Sequence, residues 1–331
     1  SQLVKVLDGA WGRDWSKQFE RFSFTPVAAA SIGQVHHAIT RDGKALAIKV
    51  QYPGVRESID SDVDNVAALL RMTGLLPASI EVRGILDEAK KQLHAEADYQ
   101  REQEWMHRYA AHIGTTPGFL VPVPLVEYTT PHVLAMSWVE GNPIESLMSE
   151  PQALRNHVAK SLFELALREI FEFRVLQSDP NFANYKFDPV EQKIVLLDFG
   201  ATRELPPAMV EGYGMLMQSS LAKHREDMYA AATQIGYFSH EMTQQHITAV
   251  MDLFEMACEP LRHEGPYDFA ASNLPRRMHD IGMTLAMDRD YWHTPPIDAL
   301  FLHRKLAGMY LLAARLKAKV DLGDLARTYL A

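Results

Sequence analysis

Cysteine is nearly missing from the 331 residues: Cys258 stands alone. That excludes an intramolecular disulfide and a four-cysteine zinc site, and it fits a reducing compartment with Cys258 as inert packing. A basic surface is missing too. With 33 Lys and Arg against 42 Asp and Glu, the formal net charge is -9, which argues against a nucleic-acid partner. No apolar run reaches the roughly 18 residues of a membrane-spanning helix. No signal-type apolar region follows Ser1, so the chain reads as having a trimmed or processed start. Internal repeats and low-complexity tracts are absent, and the 14 histidines are scattered without metal-ligand spacing. What is left is ordinary globular material, 47% hydrophobic and 23% charged, enough for a two-lobed unit or two domains.

The informative stretch begins at Gln177-Ser178-Asp179-Pro180-Asn181-Phe182-Ala183-Asn184 and ends at Leu197-Asp198-Phe199-Gly200. Between them, strand-like runs at Tyr185 to Phe187 and Lys193 to Leu197 flank the turn-like Asp188-Pro189. A hairpin brings its two ends together, so Asp179, Asn184 and Asp198 are expected at one sheet edge. Two carboxylates and an amide oxygen are hard donors of the kind Mg²⁺ accepts alongside phosphate oxygens. Asp, four residues, Asn, then Asp-Phe-Gly beyond a hairpin is also the spacing of protein kinases.

Upstream, from Phe24 the chain reads as strand, small-residue loop (Ala28-Ala29-Ala30-Ser31-Ile32-Gly33) and strand (the alternating Gln34 to Ile39). An Asp42-Gly43 turn then leads into Ala45 to Val50. Lys49 lies inside that apolar strand and needs an anion if buried. Ala-Ile-Lys beneath a small-residue loop is the arrangement that holds nucleotide phosphates, although alanines stand where glycines are usual and their Cβ atoms limit positive φ. Residues 55–71 read as a helix, 74–79 as its interruption, and Ile80 to about His112 as one long helix. Glu96 on its apolar stripe is the favoured partner for Lys49, with Glu88, Asp98 and Glu102 competing. Strands at Leu125 to Tyr128 and His132 to Val139 complete five, before a hinge at Glu140-Gly141-Asn142-Pro143. In a kinase-like architecture adenine meets the backbone at Ser137 to Val139, with Met136 behind it. The helix Gln152 to Arg174 delivers the chain to Asp179. After Gly200 further helices are expected at 208–236, 241–260, 272–287 and 297–317, with loops around Tyr267 and Thr294-Pro295-Pro296.

The segments Val27 to His36, Ala47 to Val55, Glu96 to Glu102 and Asp179 to Asn184 resemble the ABC1/UbiB atypical kinase-like family. Leu176 to Asn181, Leu197 to Glu204 and Leu302 to Gly308 resemble its COQ8 branch. The resemblance implies an α+β, two-lobed protein-kinase-like fold: a small five-stranded lobe with inserted helices over 1–140 and a mainly helical lobe over 141–331. It implies ATP or ADP binding with Mg²⁺ or Mn²⁺ and a part in ubiquinone biosynthesis at a membrane surface. Adenine nucleotide, lipid or phenolic quinone precursors and ubiquinone-biosynthesis proteins are the partners it implies. The compartment is then cytoplasm or an organelle matrix, mitochondrial in a eukaryote. Carried over, Lys49 is the phosphate lysine, Glu96 its helix partner, Asp179 the catalytic-loop acid, and Asn184 and Asp198 the metal ligands. Glu102 resembles a regulatory acid that faces a Lys-x-Gly-Gln segment, which is expected ahead of Ser1. Residues 28–32 stand for the glycine-rich loop. Gln177 and Ser178 replace the usual His-Arg, and no Ala-Pro-Glu follows the short stretch after Gly200.

Overall fold

A computed structural model describes residues 2–72, 82–114, 116–287 and 295–330. The expected interruption at 74–79, the start of the next helix at Ile80 and the loop at Thr294 lie outside the described residues. The strands are β1 (Phe19–Phe22), β2 (Ala28–Ala29), β3 (Gly33–Thr40), β4 (Ala45–Gln51), β5 (Phe119–Leu120), β6 (Val133–Ser137), β7 (Asn142–Pro143), β8 (Val175–Gln177), β9 (Tyr185–Asp188), β10 (Lys193–Leu196), β11 (Thr202–Glu204), β12 (Tyr267–Asp268) and β13 (Lys319–Val320). The helices are α1 (Gln2–Trp11), α2 (Val55–Met72), α3 (Val82–Glu96), α4 (Tyr99–Ile113), α5 (Gln152–Arg168), α6 (Pro207–Leu221), α7 (Arg225–Ile235), α8 (Gln244–Ala257), α9 (Glu259–Arg262), α10 (Leu274–Met287), α11 (Ile297–Arg315) and α12 (Leu322–Leu330). The chain divides into two compact units. One is 1–142 with 184–202; the other is 143–183 with 203–331.

The first unit is built on a five-stranded sheet in which β1, β3, β4 and β6 are neighbours and β2 pairs with β3. Period-two alternation sorts its faces. Leu46, Ile48 and Val50 of β4 pack with Ala38, Val133, Ala135, Leu7, Trp15 and Phe19 into one core. Ala47 and Lys49 therefore point to the opposite face, where Val35 and Leu134 flank Lys49 in register. The strand count of five is as expected, but its membership differs. Phe19–Phe22 supplies an edge strand, because its aromatics cover the α1 side of the sheet. Val126–Tyr128 forms a 3₁₀ turn instead of a strand, while Leu125 N–H still donates to Ala135 O at 2.8 Å.

The long helix expected to about His112 is broken. α3 stops at Glu96, and Asp98 caps a new helix by accepting the N–H groups of Gln100 and Arg101 at 3.1 Å. The break restarts the helical phase and gives α4 a buried face of Tyr99, Glu102, Trp105, Met106, Tyr109 and Ile113. The hairpin forms as read: β9 and β10 pair antiparallel, with Tyr185 opposite Leu196. Asp188 Oδ1 accepts the Val190 and Glu191 N–H groups and shapes the turn.

The second unit is helical. Leu205, Met209, Val210, Tyr213 and Leu216 pack with Met228, Ala231, Ile235, Phe254 and Leu302 into its core. The expected 208–236 helix is two, α6 and α7, separated by a turn with Lys223 at φ 57°. α5 widens into a π-helical turn at Glu169–Phe173 and ends on Arg174 in the left-handed region.

Candidate nucleotide site

In the first unit Lys49 sits between two carboxylates. Its Nζ donates to Glu102 Oε1 and Oε2 at 3.0 and 3.2 Å, and to Asp198 Oδ2 at 3.0 Å. Glu102 is fully buried, and the Asp198 side chain is 25% exposed. This corrects the expected pairing with Glu96. That residue closes α3, where its Oε1 accepts from Gln92 Nε2 at 2.9 Å. Because the helix breaks at Ala97-Asp98, the first inward carboxylate of the new helix is Glu102, one turn further along. Burial disfavours the Lys49 charge, but Asp198 and then Glu102 override it and hold the ammonium well above the ordinary lysine range. Burial raises Glu102 against the pull of Lys49. Partial burial works the same way on Asp198, yet Lys49 and the Gly200 N–H keep its acidity stronger than that of a free carboxylate. Of the two acids, Asp198 is the stronger.

The Asp-Phe-Gly segment is tied to α4 at several points. Phe199 is buried against Tyr109, ring centroids 5.0 Å apart, and its N–H donates to Glu102 Oε1 at 3.3 Å. Arg101 donates to the carbonyls of Gly200 and Thr202 at 2.9 and 2.7 Å. Asn184 lies just before β9 and Asp198 two residues after β10. Leu197 N–H donates to Asn184 O at 3.0 Å, so the hairpin brings Asn184 and the Asp198 segment to one end. Among the described residues no group of three or more His, Cys, Asp and Glu forms a protein-only metal cage. Two hard oxygen donors, one an ionised carboxylate, instead fit a Mg²⁺ or Mn²⁺ ion that keeps phosphate oxygens in its shell.

The alanine-rich turn packs tightly on β4. A Cβ at Gly33 would lie 2.2 Å from Val50 O, so only glycine lets the two strands approach. Ala28, Ala29, Ala30, Ser31 and Ile32 all keep negative φ. Ala30 N–H donates to Gly33 O at 2.9 Å, whereas the Ser31 and Ile32 N–H groups meet no backbone acceptor among the described residues. Those two are the donors this turn can offer an anion. At the expected adenine edge, Met136 is buried. Ser137 N–H donates to Val123 O and Trp138 N–H to Ala45 O. Among the described residues Val139 N–H meets no backbone acceptor, so it is the donor left in that stretch. Beside it opens a cleft of about 580 Å³ lined by residues that include Arg21, Val27, His37, Trp138 and Glu140. His37 and Trp138 meet edge to face at 4.6 Å.

Asp179 lies in the second unit, where its Oδ1 accepts from Arg304 Nη2 at 2.9 Å. Arg101 and Arg304 were not singled out in the sequence. Each acts on a backbone or loop acceptor that only the fold places, although Arg304 falls in the family-like Leu302 to Gly308 stretch.

A sequence model of the ABC1 atypical kinase-like domain matches residues 1–232. The chain belongs to the ABC1 atypical kinase-like family. This ABC1 chain is 36% identical over 328 residues to the atypical kinase COQ8B, mitochondrial, of Rattus norvegicus, covering 98% of itself and 61% of that protein. It is 35% identical over 331 residues to the atypical kinase COQ8, mitochondrial, of Saccharomyces cerevisiae, covering 98% and 65%. To the Caenorhabditis elegans atypical kinase coq-8, mitochondrial, it is 36% identical over 332 residues, covering 98% and 43%. The chain therefore spans about half to two thirds of the length of these relatives. The solved structure of Rv3197 from Mycobacterium tuberculosis in complex with erythromycin shares the fold, with a TM-score of 0.75 at 24% identity over 98% of this chain and 81% of that one. The α+β, kinase-like fold is thus that of the ABC1 family. Among the described residues no helix is long and apolar enough to cross a membrane.

Proposed function

We propose that this ABC1 chain is an atypical kinase or ATPase that binds Mg-ATP or ADP and supports ubiquinone biosynthesis by coupling ATP hydrolysis to the handling of lipid intermediates. The observation that carries the reading is Lys49, an ammonium buried on the inner face of β4 and held by Glu102 and Asp198. Such a group is pre-placed for nucleotide phosphates, and the Ser31 and Ile32 N–H groups of the alanine-rich turn are further donors for them. Val139 N–H is the backbone donor for adenine. Asn184 and Asp198 would hold the metal, whose chemistry is to neutralise phosphate charge during transfer. Asp179 is the catalytic-loop carboxylate, orienting a hydroxyl or water for in-line attack. Glu102, which pairs with Lys49, also carries the regulatory role implied by the family resemblance.

Hydrolysis is favoured over protein phosphorylation by the connection after Gly200. Only residues 201–206 lie between it and α6, leaving little chain to dock a protein substrate. The ubiquinone link and a peripheral membrane encounter, in cytoplasm or an organelle matrix, are what the family resemblance implies, and the mitochondrial designation of the COQ8 relatives supports the matrix. The test is phosphate release from ATP and Mg²⁺, with and without liposomes or phenolic quinone precursors. Release that rises with either addition is expected. Bound nucleotide with no release under any condition would overturn the catalytic reading and leave a nucleotide-sensing scaffold.

A further inference from the structure

Within the second unit, the loop that carries Asp179 rests on a buried polar cluster that the proposed chemistry does not use. Glu169, Lys305 and Gln177 are 0%, 2% and 5% exposed. Lys305 Nζ stands 3.1 Å from Glu169 Oε2 and donates to its Oε1 at 3.4 Å. It also donates to Gln177 Oε1 at 3.4 Å. Gln177 N–H in turn donates to Glu169 Oε1 at 3.3 Å. The residue two positions before Asp179 is therefore held by its main chain and its side chain at once.

The fold supplies each partner separately. Glu169 opens the π-helical turn, a device that recurs at functional sites. The left-handed Arg174 then reverses the chain so that β8 returns Gln177 to Glu169. Lys305 comes from α11, 128 residues further on. The same helix reaches the loop twice more. Arg304 holds Asp179 Oδ1, and Gly308, one turn along, faces Pro180 so closely that a Cβ there would lie 2.0 Å from Pro180 Cβ. A buried ion pair is not in general a stability device, because desolvation offsets most of its attraction. Its remaining effect here is directional: two charges that must face each other fix where Gln177, and the loop after it, can sit.

We propose that Lys305 is a positioning residue for Asp179, acting through Glu169 and Gln177 from the far side of the loop. The assignment rests on the reading of Asp179 as the catalytic-loop carboxylate. Lys305→Met alone strands a buried carboxylate, so the test uses Lys305→Met/Glu169→Gln, which removes both charges at similar volume. Amide hydrogen exchange over residues 175–183 is expected to quicken at least tenfold, with α6 to α8 unchanged. The kcat for phosphate release should fall at least tenfold while nucleotide Kd stays within twofold. Unchanged exchange over 175–183, exchange quickened throughout the chain, or an unchanged kcat would each overturn the proposal. If the parent protein releases no phosphate but local exchange still quickens, the positioning stands and the catalytic function falls.

Discussion

Whether Lys49 answers to Glu102 or to Glu96 can be measured as a coupling energy. The perturbation is a pair of double-mutant cycles at pH 8, Lys49→Met with Glu102→Gln and Lys49→Met with Glu96→Gln. Two unit charges 3.0 Å apart attract by about 5 kcal/mol at an effective dielectric near 20. Desolvation of the fully buried Glu102 offsets much of that. Contacting pairs return coupling of up to about 3 kcal/mol in such cycles, so about 2–3 kcal/mol is expected for Lys49 with Glu102. For Lys49 with Glu96, bonded to Gln92, about 1 kcal/mol or less is expected. Glu102→Gln keeps an acceptor for the Phe199 N–H and leaves Lys49 its contact with Asp198, so neither partner is stranded. Urea unfolding of the parent and variants supplies the energies. A Glu96 coupling equal to or larger than that of Glu102 would refute the pairing. The same proteins carry a pH signature. Burial pushes the Glu102 carboxyl up to about 7, from an ordinary value of 4.5. Between these values the folded protein holds a proton that the unfolded chain has released, so stability declines as pH rises through that window and levels off above it. Glu102→Gln should flatten that slope.

Two further outcomes follow from other parts of the fold. Asp198→Asn removes the ionised hard donor and weakens the hold on Lys49. Metal-dependent nucleotide binding should be lost, and titration of a fluorescent ATP analogue with and without Mg²⁺ that shows an undiminished metal effect would count against Asp198 as a ligand. Gly308→Ala forces a Cβ onto Pro180. Overpacking of that kind costs about 1–3 kcal/mol, to be read as a lowered Tm, and an unaltered Tm would show that α11 and the loop can move apart freely.

Much of this was legible in the sequence because it rests on local signals. The hairpin from Tyr185 to Leu196, the Asp42-Gly43 turn and the lysine in an apolar strand all follow from period, turn chemistry and the cost of burying charge. What escaped depended on tertiary partners. Asp98 looked like one more charge on a long helix, yet as a cap it ended α3 and moved the inward carboxylate from Glu96 to Glu102. Phe19–Phe22 sets two charges between two aromatics, a pattern without period-two alternation that makes a strand only beside β3. Ser137 and Trp138 seemed open to adenine, but Val123 and Ala45 take their N–H groups. Lys305 has no local signal either, because the carboxylate it meets, Glu169, lies far away in the chain.

Arg101 and Glu102 are consecutive on α4, one gripping the carbonyls of Gly200 and Thr202, the other gripping Lys49. A slide of that helix by a single turn, about 5.4 Å, would release both grips together. Lys49 and the Asp198-Phe199-Gly200 segment are thus coupled through α4, and a perturbation confined to that helix would reach both at once.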